Sequence, residues 1–190
     1  MPLIEELMEE LGLKINDIDV IAVSEGPGSY TGLRIGAAIA KSMAYAAGIK
    51  IVSVPTIQSL AANIYDGDKL IVPVMDAKAG RIYTGIYKWV NGECKEVMKQ
   101  FPCNIDELIG ILNDYKEPVI FNGDGSVNYK DKIENNLNRK ANFAPEMFNY
   151  LKASTLSFIA YKMAVKGYTI PAKDFKPQYL RLSQAERNRK

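Results

Sequence analysis

Apolar positions in the first third of the chain follow two spacings in turn, and these spacings predict alternating helices and strands. Residues 3–11 place apolar side chains three or four positions apart among four glutamates, which is typical of an amphipathic helix ending near Gly12. Apolar runs at 18–23 and 49–54 predict strands. Helices are predicted between them, over 31–47, and after them, over 57–65.

After a polar break at residues 66–68, the pattern predicts a mixed sheet with helices. We expect strands over 70–75 and 119–121 and a hairpin around Asn91-Gly92, with strands over 81–90 and 94–101. Helices are expected over 105–115, 127–135 and 154–165. The alternation predicts an α/β fold. The sequence predicts two lobes, residues 1–66 and 67–170. A C-terminal tail, residues 171–190, is expected to return to the first lobe. A fold with a single lobe is the alternative.

The first predicted lobe contains only two strands, which is unusual for a parallel arrangement. Parallel sheets are normally covered on both faces, and two strands are too few for an independent sheet. The sequence leaves two alternatives. Either this lobe borrows strands from another chain, or strands that belong before Met1 are missing and the first lobe is incomplete at its N-terminus. In both cases the strand over 18–23 would have an open edge that can pair with another chain.

Composition narrows the chemistry that this chain could perform. With 47% hydrophobic and 24% charged residues, its 190 residues are typical of a globular protein, and no apolar run approaches a membrane span. The absence of histidine excludes Ser-His-Asp and Cys-His catalysis and a His-ligated zinc centre. Cys94 and Cys103 are too few for a disulfide scaffold, so we expect a cytoplasmic protein.

Charge is spread unevenly along the chain. Residues 1–150 carry a net charge of −5 and residues 151–190 a net charge of +7. The basic end could contact nucleic acid phosphates, although charge alone favours a solvated surface. The side chains considered for this contact are Lys173, Lys176, Arg181, Arg187, Arg189 and Lys190.

A glycine-rich loop between the first predicted strand and the next helix is the most distinctive motif. Its spacing, GxGxxxG, differs from the dinucleotide-binding fingerprint GxGxxG. Such a loop either presents backbone N–H groups to an anion or simply makes a rigid connection, and the second interpretation is favoured. The helix that follows is rich in alanine and glycine on nearly every face, which predicts contacts on two sides and a protein interface.

Two further turns could contact a nucleotide. Asp76 ends a predicted strand before a Gly-bearing turn, and Gly123 and Gly125 form a second turn. Charged turns at a sheet edge are the simpler interpretation of both segments.

The motifs together resemble one family. Residues 21–23 followed by 25–36, EGPGSYTGLRIG, resemble the signature of the TsaB family, the non-catalytic subunit of the bacterial machinery that makes threonylcarbamoyladenosine in tRNA. Val54-Pro55-Thr56, residues 75–83, Gly123-Asp124-Gly125 and Tyr179-Leu180-Arg181 follow in the family's order. The family motif loop would consist of Gly26, Pro27, Gly28, Ser29, Thr31 and Gly32.

The resemblance implies an actin-like (ASKHA, ribonuclease H-like) fold of two lobes with mixed sheets. Family members begin with strands that have no counterpart in this chain, so we expect a first lobe shortened at its N-terminus. The resemblance also separates the chain from the catalytic paralogue TsaD, which has histidine metal ligands.

The resemblance further implies a scaffold that pairs with TsaD and with the ATPase TsaE. The complex would modify adenosine 37 of tRNAs that read codons beginning with A, and tRNA would contact this chain only through the complex. The chain would form a homodimer when alone, require no cofactor itself, and meet ATP or ADP only within the complex. The implied partner-binding residues are Leu3, Leu7, Tyr30, Arg34, Ile35, Ala38, Ile39 and Ser42.

Two enzyme classes are the alternatives to a scaffold. A nucleotide-binding ATPase or phosphotransferase of the actin-like superfamily would use Asp76 with the turn at Gly123 and Gly125. A peptidase is disfavoured, because the chain has neither histidine nor a GxSxG elbow.

Overall fold

The computed structural model describes residues 2–180, which form two β-sheets with helices between and outside them. The strands are β1 (Val20–Gly26), β2 (Lys50–Pro55), β3 (Leu70–Asp76), β4 (Arg81–Val90), β5 (Glu93–Asn104), β6 (Val119–Asn122) and β7 (Ala141–Phe143). The helices are α1 (Pro2–Leu11), α2 (Tyr30–Ala47), α3 (Thr56–Ala61), α4 (Ile105–Asn113), α5 (Asp124–Asn128), α6 (Lys130–Asn136) and α7 (Ala153–Val165). Short 3-10 turns cover Ile15–Asp17, Glu146–Phe148 and Ala172–Asp174.

The two sheets differ in size and in strand direction. Within residues 2–180, β1 and β2 form a parallel two-stranded sheet, with Val20 opposite Lys50 and Ser24 opposite Val54. The second sheet has the order β5-β4-β3-β6-β7. Its β3–β6 and β6–β7 pairs are parallel and its β3–β4 and β4–β5 pairs antiparallel. The second sheet is therefore mixed, as the hairpin around Asn91-Gly92 predicts.

Three clusters of buried side chains lie between these layers. One lies where α3 and α7 separate the two sheets, and it joins Val52 and Val54 of the first sheet to Ile71 and Tyr87 of the second. A second packs the opposite face of the five-stranded sheet against α4 and α6. The third packs α2 and residues 170–175 against the outer face of the two-stranded sheet. Helix α7, which the sequence places in the second lobe, packs against β1 and β2.

Buried amide side chains join the middle layer to the second sheet. Asn63, after α3, and Asn122, at the end of β6, both donate hydrogen bonds to the carbonyl oxygen of Phe148, at 3.1 and 3.0 Å. Thr155 of α7 donates to the Asn63 side chain at 2.8 Å. Because buried amides need such partners, these bonds fix the segment that leads into α7.

Several predicted boundaries were wrong. The helix predicted over 57–65 ends at Ala61, because the N–H groups of Asn63 and Ile64 bond to carbonyl oxygens only three residues back, in a tighter turn, and the Ile64 carbonyl accepts from the Trp89 ring N–H. The helix predicted over 127–135 is two helices that meet at Tyr129. Strand β1 continues to Gly26, three residues beyond its predicted end, and β7 was not predicted.

None of the helices within residues 2–180 is long and apolar enough to cross a membrane.

Candidate partner-binding surface

The glycine-rich loop connects β1 to α2 through a tightly packed turn. The Gly26–Pro27 peptide is cis, and Gly26 has φ +118°, a backbone conformation that favours glycine. A Cβ atom at Gly26 would collide with the carbonyl oxygen of Gln178. Ser29 then caps α2, because its hydroxyl accepts a hydrogen bond from the Gly32 N–H at 3.3 Å. The close packing at Gly26 and the Ser29 cap agree with the tight connection favoured on sequence grounds.

Helix α2 has one buried and one open side. Ala37, Ala40 and Ala44 face the two-stranded sheet and are buried. On the opposite side Ala38 and Ser42 are exposed, and Ile35 exposes 56% of its surface. Ala37, Ala40 and Ala44 thus supply the contact with the sheet, and the predicted contact of the outer face with a protein partner stays a prediction.

Helix α1 leaves its apolar stripe in solvent. It contains no buried residue, and Leu3 and Leu7 expose 81% and 54% of their surfaces. An isolated helix shorter than about 12–15 residues is only marginally stable in water. Ile4 and Met8 are half-buried, whereas the described chain leaves Leu3 and Leu7 without the apolar cover that would stabilise so short a helix.

The remaining residues predicted to bind a partner lie at the margins of the open side of α2. Tyr30 and Ile39 are half-buried and Arg34 is exposed. Arg34 donates a hydrogen bond to the Tyr30 hydroxyl at 2.6 Å, and its guanidinium carbon lies 4.2 Å from the Tyr30 ring centroid. The structure thus places all eight predicted residues on α1 and α2, and their exposed members combine the apolar Leu3, Leu7, Ile35 and Ala38 with the polar Arg34 and Ser42.

Hydrogen bonds from distant parts of the sequence hold the start of the loop, and sequence reasoning missed them. Gln100 of β5 donates to the Gly26 carbonyl at 2.9 Å and accepts from the Ile57 N–H at 3.3 Å. Thr56 accepts from the Gly26 N–H at 3.1 Å. Gln100 is separated from Gly26 by 74 residues, and nothing in its local pattern indicates the contact.

The two turns considered for nucleotide binding follow the carboxyl ends of two neighbouring inner strands of the second sheet. Asp76 ends β3, and Gly123 follows the parallel strand β6. The Asp76 N–H donates to the Asp124 carboxylate at 3.0 Å. The Asp76 carboxylate accepts from the Lys78 N–H at 2.8 Å and from Asn128 at 3.2 Å. A Cβ at Gly123 (φ +94°) or Gly125 would collide with Val74, so tight packing accounts for both glycines.

Burial makes the two cysteine thiols poor candidates for a catalytic nucleophile. Burial raises the pKa of the Cys94 thiol and of the Cys103 thiol to about 12. At neutral pH both are therefore protonated and poorly nucleophilic. Within residues 2–180 no group of three or more cysteine, aspartate or glutamate side chains is placed to hold a metal ion.

The basic residues of the C-terminal region fall partly outside the described chain. Lys173 and Lys176 are exposed, beside the face of α2 that the C-terminal segment covers. Arg181, Arg187, Arg189 and Lys190 lie outside the described residues.

Comparison with known proteins gives a consistent result. The family model described as "TsaD: tRNA N6-adenosine threonylcarbamoyltransferase" matches residues 1–189. The tRNA threonylcarbamoyladenosine biosynthesis protein TsaB of Bacillus subtilis is 32% identical, over 98% of this chain and 80% of the relative. The protein of the same name from Haemophilus influenzae is 25% identical, over 95% of this chain and 78% of the relative.

A solved structure from Pseudomonas aeruginosa shares the fold. It is described as an uncharacterized protein with similarity to peptidase YEAZ, and it superposes with a TM-score of 0.78 at 22% identity, over 95% of this chain and 82% of that chain. The expectation of an actin-like α/β fold with a mixed sheet is confirmed for the five-stranded sheet, whereas the two-stranded sheet is parallel and not mixed.

Proposed function

The chain belongs to the TsaB family of tRNA threonylcarbamoyladenosine biosynthesis proteins, and from this membership we propose that it is a non-catalytic scaffold subunit that pairs with TsaD. Its role lies in tRNA modification. In the proposed complex TsaD carries out threonylcarbamoylation of tRNA, TsaE joins the pair, and ATP or ADP is bound only within the assembly. The chain itself requires no cofactor.

The observation that carries this proposal is the unpartnered apolar outer faces of α1 and α2. Single exposed apolar side chains are common on protein surfaces, but contiguous apolar patches usually mark interaction sites. Here Leu3 and Leu7 are neighbours one turn apart on α1, and they and Ile35 of α2 are each more than half exposed. A partner that covers them would remove apolar surface from water and stabilise α1 as a helix.

The charge around the α1 stripe indicates what the partner surface contains. Leu3 and Leu7 are accompanied on α1 by four exposed glutamates, and the helix carries no basic side chain. The partner surface should therefore combine an apolar groove with lysine or arginine side chains at its rim. When TsaD is absent, the same apolar faces of two copies can cover each other, so we propose a homodimer of the isolated chain.

Other observations support a subunit without its own catalytic centre. The chain has no histidine, and its two thiols are protonated at neutral pH. The Asp76 carboxylate already accepts hydrogen bonds from the Lys78 N–H of its own turn and from the Asn128 side chain of α5. These features favour binding over catalysis.

Charge placed in the apolar faces tests the proposal. We expect Leu7→Arg and Ala38→Arg each to weaken binding to the matching TsaD at least a hundredfold, because an unpaired buried charge costs several kcal/mol, about 3 or more. Isothermal titration calorimetry measures the affinity, and reconstituted threonylcarbamoyl transfer to tRNA, with TsaD, TsaE and the threonylcarbamoyl-adenylate synthase, measures the function. Both variants should also abolish self-association in light scattering.

Val97→Arg is the matched control, because Val97 is an exposed apolar residue that belongs to β5, an edge strand of the second sheet, and not to α1 or α2. It should bind TsaD like the native chain. Native affinity in Leu7→Arg and Ala38→Arg would refute the proposed surface. ATP hydrolysis by the isolated chain that is lost in Asp76→Ala would instead favour the nucleotide-hydrolysing alternative.

A further inference from the structure

The C-terminal segment, residues 170–180, lies along one side of α2. It begins at an isolated bridge between Ile170 and Ile51 of β2. Phe175 is buried with the alanines of α2. Lys41, in the middle of α2, donates to the carbonyl oxygens of Lys173 and Phe175 at 3.2 and 3.0 Å. The segment therefore borders the helix that carries part of the proposed partner-binding surface.

The segment is anchored again at the start of the glycine-rich loop. The Gln178 N–H donates to the Glu25 carbonyl at 2.6 Å. The Gln178 side chain accepts from Gln100 at 2.8 Å, and Gln100 also holds the Gly26 carbonyl. Residues 25–26, Gln100 and Gln178, which are far apart in sequence, are thus joined by hydrogen bonds. These bonds fix the backbone next to Tyr179.

From this anchor the Tyr179 ring packs on the first residue of α2. The ring centroids of Tyr179 and Tyr30 are 4.5 Å apart, with the planes inclined by 34°. Arg34 contacts the same Tyr30 ring. Tyr179 remains 41% exposed, so the three side chains present one surface to solvent at the N-terminal end of α2.

This surface is continuous with the open side of α2. Arg34 and Ala38 are four positions apart and are therefore neighbours on one face of the helix. Tyrosine and arginine dominate the residues that contribute most to protein–protein binding, because they bury large areas and have preferred geometries. Tyr30 marks the N-terminal end of α2 among the partner-binding residues implied by sequence. At that end of the helix the structure adds the Tyr179 ring, which comes from the other end of the chain.

We propose that Tyr179 belongs to the partner-binding surface and that Gln100, through Gly26 and Gln178, is the positioning residue that orients it. The proposal rests on the proposed function, since the partner is TsaD. Tyr179 contacts the partner directly, and Gln100 acts only through the segment that it holds.

Calorimetric titration of full-length variants with TsaD tests the proposal. Tyr179→Ala should weaken binding about tenfold, as expected for truncation of an aromatic contact residue. Tyr179→Phe keeps the ring against Tyr30 and should bind within about twofold of the native chain. Gln100→Ala should weaken binding about threefold, and its effect should not add fully to that of Tyr179→Ala, because both act through one segment.

The matched control is Tyr150→Ala, which removes an exposed tyrosine after β7, and melting temperatures are measured for every variant. Weaker binding by Tyr179→Ala at an unchanged melting temperature supports the proposal. Binding within twofold of native by Tyr179→Ala, or an equal loss in Tyr150→Ala, overturns it. If Leu7→Arg still weakens binding at least a hundredfold, only this inference has failed; if the native chain does not bind TsaD at all, the proposed function has failed.

Discussion

At the scale of single residues, the backbone conformation at Gly26 is the most demanding feature of the glycine-rich loop. With φ at +118°, an alanine there would be strained, and its Cβ would collide with the Gln178 carbonyl. We expect Gly26→Ala to lower the free energy of unfolding by about 2 kcal/mol or more. Urea denaturation followed by circular dichroism measures this change.

Gly36→Ala is the matched control for that substitution. Gly36 lies inside α2, and a Cβ there would meet no atom within 4 Å. Because alanine is the better helix former, this variant should be more stable by about 0.5–1 kcal/mol. Equal effects of the two substitutions would show that the loop tolerates a Cβ and that the collision with Gln178 is relieved at little cost.

At the scale of elements, helix α4 shows how a local signal defines a boundary. The Asn104 side chain accepts from the Glu107 N–H at 2.9 Å, and the Glu107 carboxylate accepts from the Asn104 N–H at 3.2 Å. This reciprocal pair is a capping box. We expect Asn104→Ala to destabilise the protein by about 1 kcal/mol and to lower the melting temperature by about 2–4 °C in a thermal scan.

The control for the capping prediction is an asparagine without a cap role. Asn135 is exposed within α6, where alanine has the higher helix propensity. Asn135→Ala should therefore leave the melting temperature unchanged or raise it slightly. A drop of several degrees in this variant, or none in Asn104→Ala, would contradict the assignment of the stabilising effect to the cap.

The elements themselves were largely predictable from sequence, because their signals are local. The hairpin around Asn91-Gly92, the amphipathic pattern of α1 and the Gly48 end of α2 lie where periodicity and turn chemistry place them. The break between α5 and α6 and the short strand β7 depend on packing against the second sheet, which no local pattern encodes.

The candidate site was predictable only in part, for the same reason. The exposed apolar residues of α1 and α2 follow from helical spacing and the family motif. The contacts of Gln100 and Tyr179 with the loop and α2 join residues 74 and 149 positions apart. Single-sequence reasoning has no means to find such pairs.

At the scale of the whole molecule, the two sheets are unequally supported. The central strand β3 is hydrogen-bonded on both sides, and Leu70 to Val74 are fully buried. In the described chain β1 pairs only with β2, and its residues before Gly26 are half-buried. A groove of ≈ 790 Å³ lies along β1, lined mainly by apolar side chains of β1 and α7. The unpaired edge of β1 can accept a further strand, so we expect the two-stranded sheet to be less stable than the five-stranded sheet.

Hydrogen exchange should reveal this difference directly. Because local opening requires less energy where strands are unpaired and side chains half-exposed, we expect the amides of residues 20–25 to exchange with an opening free energy at least about 2 kcal/mol below that of residues 70–75. That difference corresponds to roughly 30-fold faster exchange relative to intrinsic rates. Mass spectrometry of peptides from the native protein, at two pH values to establish that opening is in rapid equilibrium, measures it. Equal protection of the two strands would show that the two sheets open as one cooperative unit. In that case α3 and α7, which pack between the sheets, couple them strongly enough to outweigh the effect of the open edge of β1 on the two-stranded sheet.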